Sequence, residues 1–296
     1  MTTPAAPAPS PEAPAKINRL ERFAEYKAHI IQRIVQTNIG TEPFFHLFVE
    51  GIFPDDLYNA LKQKVFHYKH HAQLLPRLQD NKAFTNDRYS LVDSEDIETQ
   101  YVRGLFSDHD VKHALLEKFY VSPDGSLVQV LRIHEEFEYV YTTKDRFQNV
   151  HVDIPAKFLS FVFYFPDGVL SEDETYLNAT ILYDRELNPR YRARYADNSV
   201  CIFAPHFHSY HGFATTVDRA ALVMFYVDRE LIDKHQQIVR EAKPARRLEA
   251  FKDTIQSKLE TYPLLEYGAS HSRIVSERRL SRINAPRGRV LREGEQ

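Results

Sequence analysis

Apolar positions near the start of the chain recur at the spacing of one helical face. Between residues 18 and 38 this face is formed by Leu20, Phe23, Tyr26, Ile30 and Ile34. A second helix is predicted to begin at Pro54-Asp-Asp, because proline and carboxylates are favourable in a first turn, and to end near Tyr68. Further helical patterns are predicted over about 108–119 and about 229–261.

Short runs rich in Val, Ile, Tyr, Phe and Thr dominate the chain from residue 127 onward. Strands are predicted there over 127–133, 138–141, 157–165, 175–183, 199–203 and 220–227. Two earlier strands are predicted over 43–49 and 86–92. Many short strands without interleaved helices are typical of a sandwich or barrel. With helices in front and behind, the predicted fold class is α+β.

These patterns divide the chain into successive parts with different expected structures. The parts are a disordered or extended Ala/Pro-rich start (1–16), a helical N-terminal support region (17–126), a β core (127–228), C-terminal helices (229–269) and an Arg-rich tail (270–296). Within the support region, residues 70–105 are polar and irregular and form a possible lid. Pro244 should break or kink the C-terminal helical pattern. The Arg-rich tail is expected to be solvated, or else to cover the cavity mouth or contact an anionic partner.

Composition narrows the function classes. The 296 residues carry a net charge of -3, which implies no general attraction to nucleic acid, and only 9 Gly, which argues against Gly-rich phosphate loops. A single cysteine, Cys201, excludes an intrachain disulfide and is expected to be a small core residue. No apolar run approaches the roughly 20 residues that a membrane helix needs. We therefore expect a cytoplasmic protein without a membrane or nucleic-acid partner.

The candidate chemistry begins with two residues that could bind one metal ion. His151 and Asp153 lie two apart, and if they share a strand their side chains project from the same face. A third ligand could come from a downstream segment that contains His206, His208 and His211. Two histidines and one carboxylate with open positions are typical of non-haem Fe(II) oxygenases.

An arginine follows the three histidines at a spacing that suits a co-substrate anchor. Arg219 comes eight residues after His211 and opens an apolar strand. If the two residues lie on adjacent antiparallel strands, the guanidinium can reach the cavity above the metal and hold a carboxylate with two hydrogen bonds.

The order His151-Val-Asp153, then Ser209-Tyr-His-Gly-Phe213, then Arg219 resembles the Fe(II)/2-oxoglutarate-dependent dioxygenases, and most closely their prolyl-hydroxylase-like branch. The resemblance covers about residues 127–228. It implies a double-stranded β-helix (jelly roll) in which His151, Asp153 and His211 are the iron ligands. It also implies that Arg219 holds the distal carboxylate of 2-oxoglutarate, with Tyr164 as a second contact or, alternatively, an ordinary core aromatic.

Two departures from the family pattern leave alternatives open. The usual Gly-Thr element on the following strand is replaced by Glu174-Thr-Tyr-Leu177, and the short spacing to Arg219 keeps His208 as an alternative third ligand. Three further residues, Arg132, His134 and His208, could face the substrate. Arg132 and His134 could instead form salt bridges with neighbouring glutamates, and His208 could be a surface residue.

The resemblance implies that the protein uses Fe(II), 2-oxoglutarate and O2. It also implies that an unactivated C–H bond of a small molecule is hydroxylated while succinate and CO2 are released. An amino acid or a biosynthetic intermediate is the expected substrate. Halogenating relatives have a small residue where this chain has Asp153, so hydroxylation is the default, with desaturation or ring formation as alternatives. The other functions considered are a cupin-like metal-dependent isomerase or hydrolase and a non-enzymatic jelly-roll binding module.

Overall fold

The computed structural model describes residues 19–70, 75–76, 88–92, 96–120, 133–154, 156–241, 252–256, 258 and 264. Its helices are α1 (Arg19–Gln36), α2 (Asp55–His70), α3 (Ile97–Ser107), α4 (His109–Phe119), α5 (Glu172–Leu177) and α6 (Arg229–Glu241). The Ala/Pro-rich start, Arg132, Pro244 and the Arg-rich tail lie outside the described residues. In the described part of the chain, no helix has the length and apolar character that crossing a membrane requires.

Eleven strands occupy the described residues and pair only antiparallel. They are β1 (His46–Glu50), β2 (Leu75–Pro76), β3 (Arg88–Val92), β4 (Ile133–Thr142), β5 (Arg146–His151), β6 (Lys157–Phe165), β7 (Thr180–Tyr183), β8 (Pro189–Ala193), β9 (Ser199–Phe203), β10 (His211–Thr215) and β11 (Arg219–Asp228). One sheet has seven strands in the order β1-β9-β6-β11-β4-β3-β2, and the other has four in the order β5-β10-β7-β8. The predicted α+β class is therefore confirmed as a mixture of helices and antiparallel sheets.

Strand β11 lies near the middle of the large sheet and separates two environments. It pairs along its length with β4 on one side and β6 on the other. Successive side chains of a strand point to opposite faces. On one face Leu222, Met224 and Tyr226 belong to the main hydrophobic core, which also contains residues of the N-terminal helices. On the other face Arg219, Val223 and Phe225 line a cavity.

The N-terminal helices pack on the core face through aromatic residues. Phe106 of α3 has an exposed fraction of 0% and lies edge-on to the rings of Phe161 and Phe163 on β6. The Tyr226 hydroxyl donates a hydrogen bond of 2.8 Å to the backbone oxygen of Phe106. Full burial of a Phe side chain stabilises a fold by about 1.5–3 kcal/mol, so α3 is a structural layer that fixes the back of the large sheet.

Local sequence patterns misassigned two segments. Residues 70–105 were expected to be irregular, yet α3 begins within them, where the Asp96 side chain accepts a hydrogen bond from the Thr99 N–H and caps the helix. The predicted strand 175–183 begins only at Thr180, because the preceding residues form α5. A reciprocal capping box between Ser171 and Glu174 starts that helix.

Gly212 lies where the small sheet allows no side chain. A Cβ atom built on this residue would be 2.8 Å from the backbone oxygen of Gln148 and 3.2 Å from the Val150 nitrogen, both on β5. The pairing of β10 with β5 shifts register at this point, between His211 and Phe213. Backbone atoms cannot move aside as a flexible side chain can, so only glycine fits between these strands.

We predict that Gly212→Ala lowers the free energy of unfolding by about 1–3 kcal/mol, because the added methyl group forces β10 away from β5. The matched control is Gly104→Ala in α3, where the nearest atom would be 3.7 Å away. Alanine favours a helix by up to about 1 kcal/mol over glycine, so the control should be neutral or stabilising. Urea denaturation of both variants measures the difference, and equal stabilities would contradict the prediction.

Candidate metal centre

Three potential metal ligands meet beside the small sheet. His151, Asp153 and His211 each offer one donor atom, and these three atoms lie within 4.8 Å of one another. No other such group occurs among the described residues. His151 is the last residue of β5, and it pairs directly with His211, the first residue of β10. Cross-strand neighbours approach closely, and here the two ring centroids are 4.2 Å apart.

The expected shared strand for His151 and Asp153 is wrong. β5 ends at His151, and Asp153 lies in the irregular connection to β6. The two side chains converge because the chain turns between the two sheets, which carries the carboxylate back toward the ring. Alternation along a strand therefore does not explain the spacing of this motif.

Both imidazoles are oriented by the backbone. The Nδ1 atom of His151 donates to the Asn149 carbonyl at 2.9 Å, and Nδ1 of His211 donates to the Ser209 carbonyl at 3.0 Å. Because a carbonyl can only accept, these bonds place the proton on Nδ1 and leave Nε2 with a lone pair. Burial, reinforced by the neighbouring His151, lowers the pKa of His211 to about 3. The ring of His211 is therefore neutral at physiological pH, as a metal ligand must be.

Asp153 is held ionised by its neighbours. Burial alone would raise the pKa of Asp153, but Lys157 and the two imidazoles lower it well below its ordinary value. Nζ of Lys157 is 2.8 Å from Oδ1, and the Ser160 hydroxyl donates to Oδ2 at 2.6 Å. Oδ2 is also 3.9 Å from Nε2 of His211. The carboxylate thus presents one oxygen toward the histidines.

A cavity of about 250 Å³ lies between the two sheets and contains this group. The large sheet contributes Glu138, Ser160, Val162, Phe203, Arg219, Val223 and Phe225, and the small sheet contributes Gln148, His151, Thr180, His211 and Phe213. The connection between β5 and β6 supplies Asp153. Polar groups therefore converge in an otherwise apolar space, which is the usual character of a small-molecule site.

Arg219 is a buried cation on the wall of this cavity. Its exposed fraction is 3%, and its Cζ lies 4.0 Å from the ring centroid of Phe213. Its Nη2 donates to the Thr180 hydroxyl at 3.0 Å, and its Nε has no hydrogen-bond partner. No carboxylate of the described residues forms a salt bridge with Arg219, and burial lowers its pKa. A buried charge without a counter-ion is costly, so this position suits an anionic ligand.

The expected placement of Arg219 on a strand adjacent to that of His211 is wrong. β10 belongs to the four-stranded sheet and β11 to the seven-stranded sheet. The guanidinium instead crosses from one sheet to Thr180 of the other. Thr180, Lys157 and Ser160 were not predicted from the sequence, where the one available signal was the i, i+4 spacing of Lys157 from Asp153.

The remaining candidate residues lie outside the cavity lining. Tyr164 has an exposed fraction of 0%, and its hydroxyl donates to the Thr180 hydroxyl at 2.7 Å. The His208 side chain is half-buried, and the backbone N–H of that residue donates to Nδ1 of His206 at 3.1 Å. His134 is exposed on β4. The metal-ligand group thus includes His211 and not His208.

Lys258 connects the start of β6 to the loop before β10, so it ties together two segments close to the potential ligands. Its exposed fraction is 1%, and Nζ donates to the backbone oxygens of Lys157 at 2.9 Å and of Pro205 at 2.8 Å. Lys157 follows the Asp153 loop, and Pro205 lies in the loop before β10. Burial lowers the pKa of Lys258 to about 7.

No family model matches this chain, and no curated protein matches it. Among solved structures it is similar to a prolyl-4-hydroxylase from Pseudomonas putida, with 11% identity, a TM-score of 0.49 and coverage of 69% of this chain and 99% of the other. A prolyl hydroxylase from Trichoplax adhaerens, solved with a peptide of hypoxia inducible factor, has 9% identity, a TM-score of 0.48 and coverages of 73% and 96%. A prolyl 4-hydroxylase from Phytophthora capsici has 12% identity, a TM-score of 0.46 and coverages of 92% and 96%. These are distant likenesses.

Proposed function

We propose that this protein is an Fe(II)- and 2-oxoglutarate-dependent dioxygenase whose two sheets form a double-stranded β-helix. The observation that carries the proposal is the presence, in one cavity, of two imidazoles and a carboxylate beside a buried arginine that forms no salt bridge with a carboxylate of the described residues. The imidazoles and the carboxylate suit a metal ion, and the arginine suits the far carboxylate of a dianionic co-substrate. Together they match the requirements of 2-oxoglutarate chemistry.

The three donor residues fit Fe(II) better than the common alternatives. Ca²⁺ and Mg²⁺ sites are built from oxygen donors, whereas His151 and His211 offer nitrogen. Structural zinc sites are closed by four protein ligands, and only three come together among the described residues. Two neutral imidazoles and one carboxylate leave three octahedral positions, enough for a chelating oxo acid and dioxygen.

Arg219 and Thr180 would hold the distal carboxylate of 2-oxoglutarate. The Thr180 oxygen accepts hydrogen bonds from Nη2 of Arg219 and from the Tyr164 hydroxyl. With its lone pairs engaged, the Thr180 hydroxyl has its own proton left to donate to an anion. Arg219 contributes a charge and a planar set of donors, and the low-dielectric surroundings strengthen both contacts. In this proposal Tyr164 supports the co-substrate through Thr180.

Bound Fe(II) supplies the activation of O2 that converts 2-oxoglutarate to succinate and CO2 and transfers one oxygen atom to substrate. The chain's own residues orient the reactants and exclude water, with Val162, Val223 and Phe225 forming the apolar side of the cavity. Asp153 occupies the position that halogenating relatives leave for a halide, so the proposed outcome is hydroxylation of a C–H bond. A small molecule, such as an amino acid or a biosynthetic intermediate, is the proposed substrate class.

The proposal is tested by adding 2-oxoglutarate to the Fe(II)-loaded protein without oxygen. Chelation of the ion by the oxo acid produces a weak visible charge-transfer band, and admission of air should then release succinate even without substrate. A cupin-like isomerase or hydrolase would give neither signal, since it has no use for Arg219. Absence of both the band and succinate would contradict the proposal.

We predict that His211→Ala and Asp153→Ala each reduce succinate formation to background while the fold is retained, because each removes one of three metal donors. His208→Ala is the matched control, since that residue lies outside the ligand group. Metal content after gel filtration and succinate release measure the effect, and circular dichroism checks the fold. Greater loss in His208→Ala than in His211→Ala would move the third ligand to residue 208.

We predict that Arg219→Ala weakens 2-oxoglutarate binding by about 30- to 1000-fold, corresponding to about 2–4 kcal/mol for a charge-assisted pair in a partly desolvated site. Fe(II) affinity should change little, because the guanidinium is not a metal donor. Arg192→Ala is the control, since Arg192 is exposed on β8. Titration of the charge-transfer band gives both affinities, and an unchanged requirement for 2-oxoglutarate would remove Arg219 from the site.

A further inference from the structure

Lys157 contacts the carboxylate of the metal-ligand group from the cavity side. Nζ lies 2.8 Å from Oδ1 of Asp153 and 3.3 Å from the ring centroid of Phe225. The side chain is only 13% exposed. An ammonium group held between a carboxylate and an aromatic face is fixed by two attractive interactions, and both would be lost if it swung away.

The two oxygens of Asp153 differ in their surroundings. Oδ2 lies 3.9 Å from Nε2 of His211 and accepts a hydrogen bond from the neutral Ser160 hydroxyl. Oδ1 carries the positive Lys157. A divalent cation can therefore approach Oδ2, whereas the charge of Lys157 repels it from Oδ1.

We propose that Lys157 is a positioning residue that keeps Asp153 a one-oxygen ligand and so preserves a free coordination position on the bound metal ion. Carboxylates bind metal ions through either one or two oxygens. With two imidazoles and a two-oxygen Asp153, only two of six octahedral positions would remain, and a chelating co-substrate would fill both. Lys157 thus keeps the position that dioxygen requires.

The same ammonium weakens metal binding, and this gives the proposal a distinctive signature. A positive charge about 4–6 Å from a divalent ion opposes its binding even in the effective dielectric of a protein. Removal of the charge should therefore tighten metal binding while it reduces the number of open positions. A purely structural role for Lys157 predicts the opposite for affinity, since a distorted site binds metal less well.

The test uses Mn(II) alone, whose water-proton relaxivity rises with the number of water molecules it coordinates. Lys157→Met and Lys157→Gln are both neutral variants, so that one remains if the other fails to fold. We expect each to bind Mn(II) about tenfold more tightly or more. Relaxivity per bound ion should fall by about a third, as three open octahedral positions become two.

Two controls separate the effect of this charge from general effects. Lys157→Arg keeps a cation at the same place and should retain wild-type relaxivity, whereas Lys144→Met removes an exposed lysine outside the cavity and should change neither quantity. Unchanged or weaker Mn(II) binding in the neutral variants, or an unchanged relaxivity, would overturn the proposal.

The proposal rests on the proposed function for the identity of the ion and of the co-substrate. The Mn(II) measurements require neither 2-oxoglutarate nor turnover, so they test Lys157 even if the wild-type protein proves not to bind the oxo acid. That failure would appear separately, as a missing charge-transfer band in the wild type. Under the proposed function, both neutral variants should still bind 2-oxoglutarate at saturating metal but form less succinate when air is admitted, because no position is left for dioxygen.

Discussion

His151 and His211 face each other across the β5–β10 ladder, and the rest of the candidate site depends on that pairing. The register of a strand pair decides which face every side chain occupies, so a slip of one residue would turn one imidazole away from the other. Gly212 enforces the close approach immediately after His211, because a side chain at this position would meet the β5 backbone. The His-Gly sequence is therefore a packing requirement as much as a chemical one.

The large sheet supplies the other half of the site through simple alternation. Three odd-numbered positions of β11, Arg219, Val223 and Phe225, line the cavity, while the even-numbered positions from 220 to 226 are buried in the main core. On the opposite face the Tyr226 hydroxyl of β11 donates to the backbone oxygen of Phe106, whose ring packs on the neighbouring strand β6. Stability and site geometry are thus coupled through a single strand, and core substitutions behind β11 would displace Arg219 in front of it.

The sequence was most informative where a strand is buried or where residues form a compact motif. The apolar runs of β6, β9 and β11 were predicted closely, because strands buried on both faces are continuously hydrophobic. β5, with the polar sequence Arg146-Phe-Gln-Asn-Val-His151, was missed because its alternating exposure leaves little apolar signal. The residues His151, Asp153, His211 and Arg219 were all named from their order along the chain.

Contacts between the two sheets could not be predicted in the same way. The hydrogen bond between Arg219 and Thr180 joins residues 39 positions apart in sequence, and nothing in either local sequence encodes it. The expected co-substrate contact was sought at residues 174–177, which the capping box of α5 places in a helix instead. Long-range geometry of this kind depends on how the sheets pack, and single-sequence patterns report only on each element by itself.

Lys258 is synthesised after all of the proposed metal ligands, although it holds together segments close to them. Its ammonium group joins the start of β6, which follows Asp153, to the loop that precedes His211, yet it lies 47 residues beyond the last proposed ligand. A ribosome makes the chain from the N-terminus, so all proposed ligands emerge before the residue that ties their loops together. The ligand loops of a nascent chain thus lack this tie until residue 258 has left the exit tunnel. Under the proposed function, chains that have not yet released residue 258 would hold iron less firmly than finished chains.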